Sequence, residues 1–462
     1  MTAITDSQIF GNVFSTPEMK AIWSDQQRTD YFLHFEAALA RSQAELGIIP
    51  RRAADEIVKH CKLEYIDFDE LRQKTELIGY PVLPMVQQVV KKVNEVEPGL
   101  GEWAHWGTTT QDMTDTAVVL QLRDTFKIVE ALLDNIISAC TDLCEKYKTT
   151  PMAARSNLQQ AVPISFGFKI ARLLATFRRH QQRLRELLPR LLVLQFSGAA
   201  GTLATITGST SYDPVTTDEP LALRCQSLLA EELGLQVPEI AWHTERDTLA
   251  EASNFLALLT ATCAKFATDL KLTMQSEVDE AREPYVPHRG SSSTMPQKRN
   301  PIGSAYICAM AASVRNMATG MVEAVVADHE RSTGPWEIEW VMLPQICALS
   351  HACLKQTHYL LKGLEVDEKA MSSNLEMSRG AIVSEAVMMG LGKTLGRQYT
   401  HDIVYELCRK AQLEDKSLLE LLKADDGIKK AGLADEELER LCDPANYLGL
   451  SEVMVDRVLQ QR

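Results

Sequence analysis

An all-α fold built round a bundle of long helices is predicted by three features of the sequence. Between Gly107 and Pro151 there is neither glycine nor proline, the two residues that most often interrupt a helix. Two further stretches, from Ser165 to Leu188 and from Thr248 to Glu283, carry the same three-and-four spacing of apolar residues. Strict polar/apolar alternation, the mark of a half-buried strand, is almost absent.

Taken in order, residues 1–105 hold shorter helices, broken at "IGYPVLP" where Tyr80 is a pocket or packing residue. The first long segment follows, with a stripe of Val118, Leu122, Phe126, Val129, Leu133, Ile136, Cys140 and Leu143. Leu132, Ile137 and Cys144 widen that stripe, so more than one face is covered. At 1.5 Å per residue it makes a rod on the order of 50 Å long. A polar loop, "AARSNLQQAVP" at 153–163, separates it from the 165–188 helix, whose basic face carries Arg178, Arg179, Arg183 and Arg185.

The 248–283 segment places Phe255, Leu259, Cys263, Phe266, Leu270 and Met274 on one stripe, with alanines between them that allow close helix approach. Stretches 304–319 and 337–362 continue the pattern, and from about 364 short helices are joined by "SRG", "GLG" and "CDPANYLG". The expected organisation is therefore an N-terminal helical region (1–105), a central long-helix region (106–363) and a C-terminal helical region (364–462). One chain cannot cover so many apolar faces, which predicts a homo-oligomer sharing the bundle.

Composition narrows the function. Hydrophobic residues make up 45% of the chain and charged ones 24%, which suits a globular body. A formal charge of −14 argues against nucleic acid or an anionic membrane as partner, though not against a small anion in a locally basic pocket. The ten cysteines are scattered singly and read as small buried hydrophobes in a reducing compartment; Cys140 and Cys144 share a helix face, but no CxxC or nearby histidine completes a metal set. "MTAITDSQIFG" has neither a basic nor an apolar signal region, and no apolar run is long enough to span a bilayer. The expectation is a cytoplasmic protein.

Polar segments at helix ends are where chemistry belongs. "HWGTTTQDMTD", 105–115, offers threonines that either cap the following helix or, with the free N–H groups there, hold a carboxylate. "HTERD" at 243–247 reads as a structural histidine among charges, and "DHERSTGPWEIEW" at 328–340 is a second charged segment. "GSSSTMPQKRNP", 290–301, differs in kind: glycine and two prolines exclude helix, and hydroxyls stand near Lys298 on a segment able to close over an anion.

That last segment closely resembles the signature loop of the aspartase/fumarase superfamily, GSSxMPxKxNP. "GTTTQD" is similar to the superfamily's second element and "RSNLQQAVPISFG" to its third. "RLLVLQFSGAAGTLA", "AWHTERD", "HERSTGPWEIEW" and "DPANYLG" resemble the branch of the 3-carboxy-cis,cis-muconate cycloisomerases, from about residue 8 to the end. The resemblance implies a three-domain, all-helical homotetramer whose active sites are each built from three subunits. By position it implies that Ser292 exchanges a proton with carbon, and that Lys298 and Asn300 hold a carboxylate and stabilise an aci-carboxylate, with Ser293 beside them. It also implies that Thr109 and Thr110 bind a carboxylate, that Arg155, Ser156 and Gln159 line the site, and that His329 and Arg331 lie close to it.

Two departures bear on the reaction. Elimination enzymes of the superfamily carry a histidine where this chain has Asn157, and the cycloisomerases one where it has Gln160; Ser291 also replaces a usual glycine. An amide cannot protonate a departing amine or hydroxyl, and losing general-acid help costs about 3–5 kcal/mol of barrier. Carbon dioxide leaves without a proton. Several stretches, among them "TELIGYPVL" and "IVSEAVMMGLGKTLGRQY", resemble superfamily members that decarboxylate trans-aconitate to itaconate. The implied activity is a carboxy-lyase acting on a small polycarboxylate through an aci-carboxylate. No metal or organic cofactor is implied, because the substrate's own carboxylate takes up the electrons. The alternatives are a 3-carboxy-cis,cis-muconate cycloisomerase, an adenylosuccinate-type β-elimination lyase, or structural use of the scaffold.

Overall fold

The computed structural model describes residues 3–430 and 432–461. The all-α expectation holds: helices dominate, and among the described residues the sheet consists of two short two-stranded pieces. Five long helices, of 22 to 37 residues, run Thr110–Lys146, Phe166–Leu191, Asp247–Thr273, Ile302–Glu323 and Pro335–Lys362. In the first, Leu122, Phe126, Val129, Leu133, Ile136 and Cys140 are all at most 1% exposed, so the predicted stripe is its buried face. The last starts on Pro335, whose missing N–H costs nothing at a first helical position.

By contact the chain divides into two compact units. One comprises residues up to Ala131, Gln181–Ala261 and Ala309–Cys353; the other comprises Leu132–His180, Thr262–Cys308 and residues from Leu354 on. Each long helix supplies residues to both. The first unit's core gathers Phe32, Phe35, Leu39, Ile57, Met85, Val89, Met113, Leu120 and Phe196. In the second, Val387, Leu391, Leu407, Leu418, Leu422 and Leu438 form a core among the C-terminal helices.

Two expectations need correction. The 153–163 stretch is not a loop but most of a β-hairpin: β1 (Pro151–Ser156) pairs antiparallel with β2 (Gln159–Ser165), Ser156 opposite Gln159. Only Asn157 and Leu158 remain for the turn, at φ 50° and 66°, both in the left-handed region that a two-residue type I′ turn requires. Asparagine tolerates that region, but leucine is a poor turn former, which hid the hairpin. The second correction is the helix expected to reach Glu283. It ends at Thr273, although no glycine or proline intervenes. Local propensity is overridden here by burial of Glu280, which is fully enclosed and pairs with Arg155.

Candidate active site

In the first unit the start of the Thr110–Lys146 helix is organised by one carboxylate. Asp112, fully buried, accepts hydrogen bonds from Thr108 Oγ1 (3.1 Å), Thr109 N (3.1 Å), Ser197 N (3.0 Å) and Gly198 N (2.9 Å). His243 Nε2 donates a fifth at 2.8 Å, and its ring is 3% exposed. Asp112 thus does half of what a capping box does, taking the N–H three residues back. The hydroxyls of Thr109 and Thr110 make no hydrogen bond among the described residues. Two half-buried hydroxyls stand free at a positive helix end.

Gln111 extends the arrangement. Its Nε2 donates to the His243 carbonyl (2.8 Å), while its Oε1 accepts from Arg331 Nη1 (2.7 Å). Arg331 Nη2 donates to the Ala199 carbonyl at 2.7 Å, so its guanidinium is held at the same helix start. His329 lies exposed with φ 49°. Its neighbour Asp328 is held below the usual carboxylate range by hydrogen bonds from Thr333 Oγ1 (2.6 Å) and N (2.8 Å).

Beneath this lies a charged cluster. Arg246, 1% exposed, is gripped by Asp115 (2.8 and 3.0 Å) and Glu339 (2.8 and 2.6 Å) and lies over the Trp242 ring at 5.1 Å. Burial alone would lower its pKa, but the two carboxylates more than offset this and hold it above the ordinary arginine value. Tyr80 is a packing residue in this unit. It stacks on Trp336 (5.7 Å, 22°) and meets Trp340 edge-on (5.9 Å), with its hydroxyl 3.4 Å from Glu337 Oε1. Burial, then Glu337, pushes its pKa up. His105 is bound to the buried Glu36 through Nδ1 (3.0 Å) and its backbone N (2.5 Å).

The second unit carries the 290–301 loop and the hairpin. The loop is closed at its neck: Asn300 N and Nδ2 both donate to the Gly290 carbonyl, at 2.9 and 2.8 Å. Gly290 has φ 72°, and a Cβ there would stand 2.4 Å from the Asn300 oxygen, so glycine is required twice over. Arg299 fixes one flank through Glu365 (3.1 Å), the Glu283 carbonyl (2.9 Å) and the Tyr285 ring (5.2 Å). Ser292 Oγ accepts from Thr294 N (3.3 Å) and Met295 N (3.1 Å). Two N–H donors aimed at one hydroxyl oxygen favour its deprotonated form. Ser293 and Lys298 are exposed.

On the hairpin, both Nη atoms of Arg155 bind Glu280 at 2.7 Å, and Gln160 Nε2 donates to the Asn374 carbonyl at 2.8 Å. Asn374 Nδ2 in turn donates to Glu280 Oε1 at 2.9 Å. Ser156, Asn157 and Gln159 are exposed, with no side-chain hydrogen bond among the described residues. The first unit therefore brings Thr109, Thr110 and Arg331 to one helix end, with His329 two residues away on an exposed turn. The second groups the amides on the hairpin and Ser292, Ser293, Lys298 and Asn300 on the loop. Sequence reading passed over Asp112, Gln111, Arg299 and Glu280. "HTERD" and "TTTQDMTD" held the signal, but their partnership crosses 131 positions and leaves no local mark.

A family model described as lyase matches residues 12–316, and one described as adenylosuccinate lyase C-terminus matches 380–458. The chain is 54% identical over 450 residues to trans-aconitate decarboxylase 1 of Mycosarcoma maydis, covering 97% of this chain and 88% of that one. To 3-carboxy-cis,cis-muconate cycloisomerase of Pseudomonas aeruginosa it is 39% identical over 461 residues, covering 100% and 98%. The crystal structure of 3-carboxy-cis,cis-muconate lactonizing enzyme from Pseudomonas putida superposes with a TM-score of 0.90 at 38% identity, covering 98% of each chain. The chain belongs to the aspartase/fumarase superfamily of lyases and, within it, to the cycloisomerase-like branch.

Proposed function

We propose that this lyase decarboxylates trans-aconitate to itaconate without a cofactor. The observation that carries the reading is the pair of amides, Asn157 and Gln160, on a chain 54% identical to a trans-aconitate decarboxylase. In this reading Thr109, Thr110 and Arg331 of one subunit hold one carboxylate, while Lys298 and Asn300 of another subunit hold the carboxylate that receives the electrons. The carboxylate on the substrate CH₂ leaves as CO₂. Its bonding pair forms the new terminal alkene, and the old double bond shifts its pair onto the adjacent carbon, where the neighbouring carboxylate spreads the charge as an aci-carboxylate. Ser292 then gives that carbon its hydroxyl proton and regains one from water. Trianion plus one proton becomes dianion plus CO₂, so the charge balances.

The two N–H groups at Ser292 Oγ support its part, since they stabilise the alkoxide left after proton donation. His329 is a proton carrier only if substrate brings the exposed 329 turn inward. The homotetramer is part of the same proposal. Leu258, Leu272, Val322 and Val341 are exposed apolar residues on long helices, and the hairpin tip with Leu158 at 77% exposure awaits a neighbour. Ten free cysteines, six of them buried, support a reducing cytoplasmic setting.

Purified protein given trans-aconitate is expected to release itaconate and CO₂ in equal amounts. Turnover of 3-carboxy-cis,cis-muconate to a lactone with no CO₂ release would replace this reading with cycloisomerisation.

A further inference from the structure

The first unit contains a cavity of about 520 Å³, within the range of roughly 300–1,000 Å³ typical of small-molecule pockets. Thr109, Thr110, His329 and Arg331 do not line it. Its walls are mainly apolar, with Phe32, Phe68, Leu71, Trp340 and Leu343 among them, and one cation on the Asp25–Glu45 helix, Arg28, also lines it. Arg28 Nε is buried without a hydrogen-bond partner; among the described residues the guanidinium makes no ion pair within 4 Å, although Asp25, three residues before it, acts on it electrostatically. The other charges are committed or solvated. Arg72 faces Asp69 (3.4 Å) and Glu76 (3.7 Å), Glu339 is held by Arg246 (2.6 Å), and Asp25 is exposed.

A buried N–H donor left unpaired is unfavourable, and an arginine lining a mainly apolar cavity calls for an anion whose remainder is apolar. We propose that this cavity binds a small monocarboxylate with an apolar body, its carboxylate on Arg28 and its body against Phe32, Leu71, Trp340 and Leu343. A second carboxylate on the ligand would meet either those walls or the acidic side chains already present. That separates the site from the polycarboxylate site proposed above, and the inference does not depend on that assignment.

Octanoate is a suitable probe, followed by calorimetry on the full-length protein and by fluorescence of Trp23 and Trp340, which line the cavity. The expected result is saturable binding, at least tenfold tighter than that of 1-octanol, and not displaced by excess trans-aconitate. Arg28→Met keeps the apolar stem; it should weaken octanoate at least tenfold and leave 1-octanol unchanged. Where Arg28→Met does not fold, Leu343→Trp, which fills the chamber, should abolish octanoate binding. The proposal is overturned by absence of saturable binding, by equal affinity for acid and alcohol, by displacement with trans-aconitate, or by wild-type octanoate affinity in a folded variant.

Discussion

The 105–115 segment and the 290–301 loop both present hydroxyls, yet they are supported in opposite ways. Behind the first, Asp112 and Gln111 are fully buried and tied to residues 85 to 220 positions away. Behind the second, the contacts are a neck at Gly290 and Asn300 and one arginine, and the tip is exposed. In the proposed function the first is a preformed anion seat, its cost met in folding the core. The second, in the same reading, is a segment whose final contacts come with substrate. Binding groups gain from rigidity, whereas a group that delivers a proton must approach and withdraw.

The largest effect expected from this contrast is on Ser292. Ser292→Ala should lower kcat for trans-aconitate by about 10²–10⁴-fold, with an unchanged melting temperature, because among the described residues its hydroxyl makes only two local hydrogen bonds, from Thr294 N and Met295 N. A fall in stability matching the fall in rate would show the loop to be as structural as the 105–115 segment. Near-normal turnover would move the proton transfer elsewhere.

Arg246 tests the opposite side. Arg246→Met leaves Asp115 and Glu339 buried without an ion pair, Asp115 keeping only a 3.5 Å contact from Gln195 Nε2, and should cost about 3–5 kcal/mol of stability by urea denaturation. Arg155→Ala in the second unit also strands a buried carboxylate, Glu280, but Arg155 is 25% exposed and Asn374 still donates to that carboxylate. Its cost should be smaller, about 1–3 kcal/mol. Equal losses would mean that the two regions are framed alike.

Gly290→Ala should fall between these and the smallest effect. The φ of 72° and the 2.4 Å approach to Asn300 strain any side chain there, by about 1–3 kcal/mol. The loop has no core behind it, so the strain should appear as roughly a tenfold loss of kcat/KM, with thermal stability nearly intact.

How much of this was legible in the sequence follows from how local each feature is. The Thr110–Lys146 helix was readable because thirty-seven residues without a breaker repeat one period. The irregular 290–301 loop was readable from its glycine and prolines. His243 is buried and bonded to Asp112, which fits the structural reading of "HTERD", but the partner itself was not legible, since nothing near residue 243 indicates residue 112. The hairpin was missed because its turn residues, Asn157 and Leu158, include a leucine held left-handed by the strands rather than by its own preference. The stop at Thr273 was missed for a related reason: a buried Glu280 decides it through contacts with Arg155 and Asn374. Periodicity is visible one element at a time, and buried polar pairing is not.

Tyr80 gives the smallest expected change and so the finest test of the rigid side. Its hydroxyl is 3.4 Å from Glu337, near the limit of a hydrogen bond, while its ring packs against Trp336 and Trp340. Tyr80→Phe should therefore cost less than about 1 kcal/mol, whereas Tyr80→Ala, which removes a half-buried ring, should cost about 1–3 kcal/mol. The two variants separate apolar support from polar contact at one position. If Tyr80→Phe proved as harmful as Tyr80→Ala, the hydroxyl and Glu337 would be holding the segment, and the first unit's rigidity would rest on polar pairing there as it does at Asp112.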